Sequence, residues 1–154
     1  MIKAIRFTIT TTLIDLIIAG LMFSLIAGGF DELLVFIFDF ALNFGVGIVF
    51  LIIASYYVGI KMHILICEKK WNSLLIGILG MISILIIGII GGSTVGFIDY
   101  GLESTDSITE LIVDYYFKPL ALILVYGGIP TIISGGILGI LIARITCYNN
   151  VYSS

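Results

Sequence analysis

LLIGILGMISILIIGIIGGSTVGF, residues 74–97, holds 24 consecutive positions without one charged side chain. Wound as an α-helix this stretch is about 36 Å long, enough to cross roughly 30 Å of hydrocarbon. Three further runs of similar character flank it, from Thr8 to Gly28, from Leu33 to Ile60 and from Leu120 to Ala143. None alternates apolar and polar residues as a barrel wall does, and all are too long for barrel strands. The expected fold is an all-α membrane protein, a four-helix transmembrane bundle forming a single domain over residues 1–154.

Composition agrees. Of 154 residues 60% are hydrophobic and 11% charged, too few polar side chains to clothe a water-soluble fold of this size. Seven Lys and Arg against ten Asp and Glu leave no basic face for nucleic acid. The basic residues also set an orientation, because cytoplasmic loops and tails accumulate them. Lys3 and Arg6 precede the first run, Lys61, Lys69 and Lys70 lie between the second and third, and Arg144 follows the fourth. Six of seven therefore share one face, so both termini are expected in the cytoplasm, with the cell membrane as host. The opposite side receives Asp31 and Glu32, then Asp99, Glu103, Asp106, Glu110 and Asp114, with Lys118 as its one base.

Asp15 and the Thr10–Thr12 run interrupt what would be the apolar core of a signal peptide, so the first run reads as a retained span. Cys67 and Cys147 both fall on the lysine-bearing side, where thiols stay reduced, and no disulfide is expected. Between the third and fourth spans, Ser107-Ile108-Thr109-Glu110 has the form of a capping box. It predicts a short helix over 108–117 lying in the outer interface and limited by Pro119. Tyr56, Tyr57, Trp71 and Tyr148 supply an inner aromatic belt, and Asn149–Ser154 a frayed tail.

The two halves differ in texture. Five of ten Phe lie in the second span, at Phe36, Phe38, Phe40, Phe44 and Phe50, whereas the third and fourth are rich in Gly. On a helical wheel Ser73, Gly77, Gly80, Gly88 and Gly91 form one stripe, as do Gly128, Thr131, Gly135, Gly139 and Ala143. Small residues let helix backbones approach in lipid, which predicts close packing of spans three and four. Gly20, Ser24 and Gly28 make a looser series on the first span. Pro130 removes one backbone donor within the fourth and predicts a kink.

Two ionisable residues fall inside spans, and such residues are costly enough to be candidate functional groups. Asp15 is about 10 Å into the first span from its cytoplasmic end and shares a face with Thr8, Thr11 and Thr12. Asp39 lies at similar depth from the outer end of the second and shares a face with Asn43 and Gly47. Either carboxyl is suited to proton or cation coupling, or to structural pairing, with Arg144 for Asp15 and Lys118 for Asp39. His63 and Cys67, four apart, with Cys147 as a third ligand, form a weak metal pattern, and no metal or other cofactor is assigned.

No nucleophile elbow, zinc-protease, P-loop or redox cysteine-pair motif is present, so the reading is non-enzymatic. The leading expectation is an accessory or structural membrane subunit that associates, with itself or with a membrane partner, through glycine-lined faces. The alternative is a small proton- or cation-coupled transporter or channel working through Asp15, Asp39 and Asn43. A lipid-acting membrane enzyme is the third.

Overall fold

A computed structural model describes residues 1–27, 29–39, 41–101 and 107–147. Gly28, Phe40, Glu103, Asp106, Tyr148 and the tail Asn149–Ser154 lie outside the described residues. Those described form α1 (Ile2–Ala27), α2 (Phe30–Asp39), α3 (Ala41–His63), α4 (Ser73–Gly96), α5 (Ile108–Ile112) and α6 (Lys118–Leu141), without strands. Four helices are long and apolar enough to span a membrane, over Ile2–Leu25, Ala41–Glu68, Ser73–Asp99 and Gly127–Cys147.

The four long helices close a ring in which α1 packs on α3 and α6, and α4 packs on the same two. Alternating helix directions place the N-terminus of α1, the end of α3, the start of α4 and the end of α6 at one end of the bundle. The apolar core sits toward that end, where Ala4, Ala54, Met62, Ile76, Met81, Ile84, Leu138 and Ile142 are buried together. Large side chains such as Ile17, Leu25, Val125 and Ile129 point outward, as lipid-facing positions require, since acyl chains are as apolar as they are.

The second span differs from the expected 33–60. Helix begins at Phe30, and the membrane-length helix runs from Ala41 through a wide π turn at Ile64–Glu68. In that turn the Lys69 amide donates to Ile64 O across five residues. Lys61 does not end the helix, because a lysine can run its stem along apolar surface and keep its ammonium in water. The chain reverses only at Lys69–Asn72. Lys70 adopts a left-handed φ of 54°, and Asn72 Oδ1 accepts from the Leu74 and Leu75 amides at 3.0 and 3.3 Å to start α4.

The capping box is present. Ser107 Oγ accepts from the Glu110 amide, and Glu110 Oε2 accepts from the Ser107 amide at 3.1 Å. The helix does not stop at Pro119 as expected. A second π turn, Val113–Phe117, carries the backbone into α6, and Pro119 occupies the first turn of that helix, where its missing N–H is tolerated. This segment packs on the end of α4. Phe97 meets Tyr115 and Tyr116 with ring centroids 6.2 and 5.8 Å apart, and Tyr116 Oη donates to Thr94 Oγ1 at 3.2 Å.

Glycine contacts divide the third-span stripe between two neighbours. A methyl on Gly77 would overlap the Gly135 carbonyl, and one on Gly139 would overlap the Ser73 carbonyl, so α4 and α6 meet backbone to backbone. Gly80, Gly88 and Gly91 instead receive Met62, Leu51 and Phe50 from α3. Gly128 meets nothing within 4 Å and is not part of either seam. The predicted stripe spans enough of the wheel for its two edges to face different helices.

Candidate functional site

Three polar residues at helical spacing, Thr8, Thr12 and Asp15, turn inward from α1 and are 0%, 6% and 9% exposed. The threonines satisfy themselves in part by back-bonding, Thr8 Oγ1 to Ala4 O and Thr12 Oγ1 to Thr8 O, each at 2.9 Å. Thr12 also bridges to α3, its Oγ1 lying 2.9 Å from Ser55 Oγ, while Ser55 Oγ reaches Leu51 O at 2.6 Å. Two hydroxyls own two hydrogens, and four contacts compete for them, the fourth from Thr12 Oγ1 to Met81 Sδ at 4.0 Å. Whichever hydroxyl donates across the helix pair gives up its own backbone bond, so the bridge has two alternative proton arrangements.

Asp15 is one turn further along. It stands near the midpoint of α1, 13 residues from Ile2 and 12 from Ala27. Ser134 Oγ donates to Asp15 Oδ2 at 2.7 Å and lies 3.2 Å from Thr131 O. Thr131 is buried beside them on α6, 4% exposed. Asp15 Oδ1 is buried with no hydrogen-bond partner among the described residues. Thr131 follows directly on Pro130 and Ser134 stands one turn beyond it; Pro130 lies inside α6 and removes an intrahelical donor there. The cleft between α1 and α3 beside Thr12 and Ser55, walled by Ile9, Leu16 and Ile48, is too narrow for a water molecule.

The sequence-stated ion pairs do not form. Arg144 is exposed and lies ten residues beyond Ser134, about 15 Å along the helix, too far for its guanidinium to reach Asp15. Lys118 Nζ pairs with Asp114 Oδ1 at 2.6 Å one turn away, not with Asp39. Asp39 is exposed at the end of α2, before the membrane-length helix begins. Asn43 is half-buried against α4, where its amide nitrogen and carbonyl crowd Gly96 and Gly92. Asp39 and Asn43 therefore do not join Asp15. Ser134, which does, and Ser55, which joins Thr12, were missed by sequence reasoning, because a single serine in an apolar run has no distinguishing signal.

A second polar cluster closes the lysine-bearing end. Contrary to expectation, Cys67 and Cys147 are joined in a disulfide, with Cα atoms 5.2 Å apart across 80 residues of sequence. The reason is helix length. π turns carry both spans past their expected ends and bring Cys67, in Ile64–Glu68, beside Cys147, in Ile142–Cys147. His63 is 7% exposed and its Nδ1 lies 3.3 Å from Cys67 Sγ. A bonded sulfur carries no hydrogen, so the imidazole is the donor. His63, Cys67 and Cys147 thus come together as a cystine beside an imidazole, and no set of three His, Cys, Asp or Glu among the described residues is disposed to hold a metal ion.

No protein family, curated protein or solved structure compared with the chain matches it.

Proposed function

We propose that this chain is a small proton-coupled membrane protein whose working group is the Asp15 carboxyl. A single observation carries the reading: a nine-tenths-buried carboxyl at mid-helix has one oxygen held by Ser134 and the other without a partner. An unpaired charge is expensive in that setting, and Asp15 has no basic partner among the described residues. A proton or small cation arriving at Oδ1 would supply the missing interaction. The narrow neighbouring cleft favours a proton over any larger solute. Thr12, bridged to Ser55 of α3 by interchangeable hydrogens, is the next inward-facing polar residue on α1 toward the lysine-bearing end.

In this proposal the lysine-bearing end and both termini face the cytoplasm of the cell membrane, and Asp39 and Asn43 have no part in coupling. Reconstituted vesicles with a pH gradient test it. Asp15→Asn should abolish dye-reported proton flux while Asp39→Asn leaves it intact. Equal flux in wild type and Asp15→Asn would overturn the reading.

A non-enzymatic accessory subunit is the second reading, and it is supported by the closure of the α1–α3 cleft, which has no room for a substrate. Its partner would not dock through Gly77, Gly135 and Gly139, which are already occupied within the chain. Co-purification in mild detergent of a stoichiometric second protein would support it.

A further inference from the structure

The cystine at the lysine-bearing end has a location and a neighbour that a static cross-link does not need. Cys67 lies 26 residues beyond Ala41 in one unbroken helical stretch, about 39 Å at α-helical rise. That exceeds the roughly 30 Å hydrocarbon layer and sets the cystine at the headgroup boundary. Cys67 and Cys147 are each half-buried, neither fully enclosed by the bundle. Lys61, Lys69 and Lys70 mark this end of the bundle as the one that the charge rule assigns to the cytoplasm. Disulfides in that compartment are usually transient and take part in catalysis or redox sensing. The adjoining group is a buried imidazole donating to Cys67 Sγ.

We propose that Cys67, Cys147 and His63 form a redox-active thiol–disulfide exchange site whose substrates are small cytoplasmic dithiols. Exchange proceeds fastest where the departing sulfur is best stabilised as a thiolate. Cys67 has the imidazole and Cys147 does not, which gives the two sulfurs distinct roles. A dithiol's first thiolate attacks Cys147 Sγ and forms a mixed disulfide. The Cys67–Cys147 bond breaks and its electron pair passes to Cys67 Sγ, which takes a proton through His63. The dithiol's second thiolate then attacks its own sulfur in the mixed disulfide and releases Cys147, which is protonated from water. The dithiol is oxidised to a cyclic disulfide, the cystine is reduced to two thiols by the same two electrons, and the two thiol protons end on Cys67 and Cys147. Reduction uncouples the cytoplasmic ends of α3 and α6, the helices that carry Ser55 and Ser134.

The inference rests on the proposed orientation but not on Asp15, and its test separates the two. The full chain is kept in vesicles and its thiols are counted by maleimide gel shift. Dithiothreitol should open the bond in wild type at least about 100-fold faster than in His63→Ala, the low end of what a positioned acid–base group contributes. With single cysteines, Cys67 in Cys147→Ser should react with an aromatic disulfide probe about 10-fold faster than Cys147 in Cys67→Ser, through its larger thiolate fraction. Adding His63→Ala should remove that advantage in the first variant and change nothing in the second, a pattern that simple destabilisation would not produce. Equal rates in all variants, or a bond resistant to dithiothreitol, would overturn the site. In intact cells a membrane-permeant dithiol should reduce the bond and an impermeant one should not. Rapid reduction by the impermeant reagent with the His63 effect preserved would overturn the orientation and the cytoplasmic substrate, and leave the exchange chemistry standing.

Discussion

Replacing Gly139 by Ala adds one methyl where the α4 backbone already stands. The new Cβ would overlap the Ser73 carbonyl oxygen and lie 3.1 Å from Gly77 Cα. Neither is the flexible end of a side chain, so relief requires α4 and α6 to separate. Overpacking of this kind costs about 1–3 kcal/mol, offset by up to about 1 kcal/mol from the better helix propensity of Ala. A net loss of about 1–2 kcal/mol follows. Gly128 lies on the same helix and meets nothing within 4 Å, so Gly128→Ala gains the propensity without the clash. The two variants should then differ by about 2 kcal/mol, roughly 30-fold in the unfolding equilibrium. Reversible unfolding in mixed micelles, read by the fluorescence of Trp71 two residues before the Ser73 contact, measures the difference. Equal stability of Gly139→Ala and Gly128→Ala would refute the backbone-to-backbone seam.

Other consequences follow from the polar contacts. Ser134→Ala removes the hydrogen bond from Ser134 Oγ to Asp15 Oδ2 and leaves a second carboxyl oxygen without a partner among the described residues, so the same unfolding assay should register a loss of about 1–3 kcal/mol. A double-mutant cycle of Thr12→Val and Ser55→Ala should give a coupling energy of about 0.5–1.5 kcal/mol, since their hydroxyls bond to each other across α1 and α3. The Ser107 hydroxyl and amide hold the exposed Glu110 carboxyl below its ordinary value of 4.5. A carboxyl lowered in the folded state contributes its full stability above that ordinary value and loses it as pH falls through the lowered one. The protection of the Ile108–Ile112 amides, their exchange rate relative to the intrinsic rate at each pH, should therefore fall only in acid, and Ser107→Ala should move that fall to higher pH.

Which parts of this structure were legible depends on what each signal measures. Apolar run length reports crossing ability directly, and four runs gave four membrane-length helices. Charge marks the vicinity of a boundary but not the boundary itself. Lys61 was read as the end of a span, yet helix persists to Glu68, because a long amphipathic side chain reaches water from inside a helix. The capping box was legible because its four residues contain the whole interaction. Pro119 misled, since a proline that ends one helix can equally begin the next.

Asp15 stood out as a lone acid in an apolar span. Its partner did not, because the identity of Ser134 depends on how α1 and α6 are rotated against each other, and no local pattern encodes that. Arg144 matched Asp15 in charge and failed on distance. The cystine shows the same limit, for charge asymmetry placed both cysteines at one end of the bundle and led to the expectation of no disulfide, whereas the packing of the two helix ends brings them together.

Exchange of a proton at one buried carboxyl is what the functional account stands on, and infrared difference spectroscopy across a pH jump in reconstituted membranes observes it without a transport assay. The account predicts a protonated-carboxyl carbonyl band that comes and goes with pH, shifts in Ser134→Ala and is missing from Asp15→Asn. A difference spectrum that Asp15→Asn leaves unchanged would contradict it.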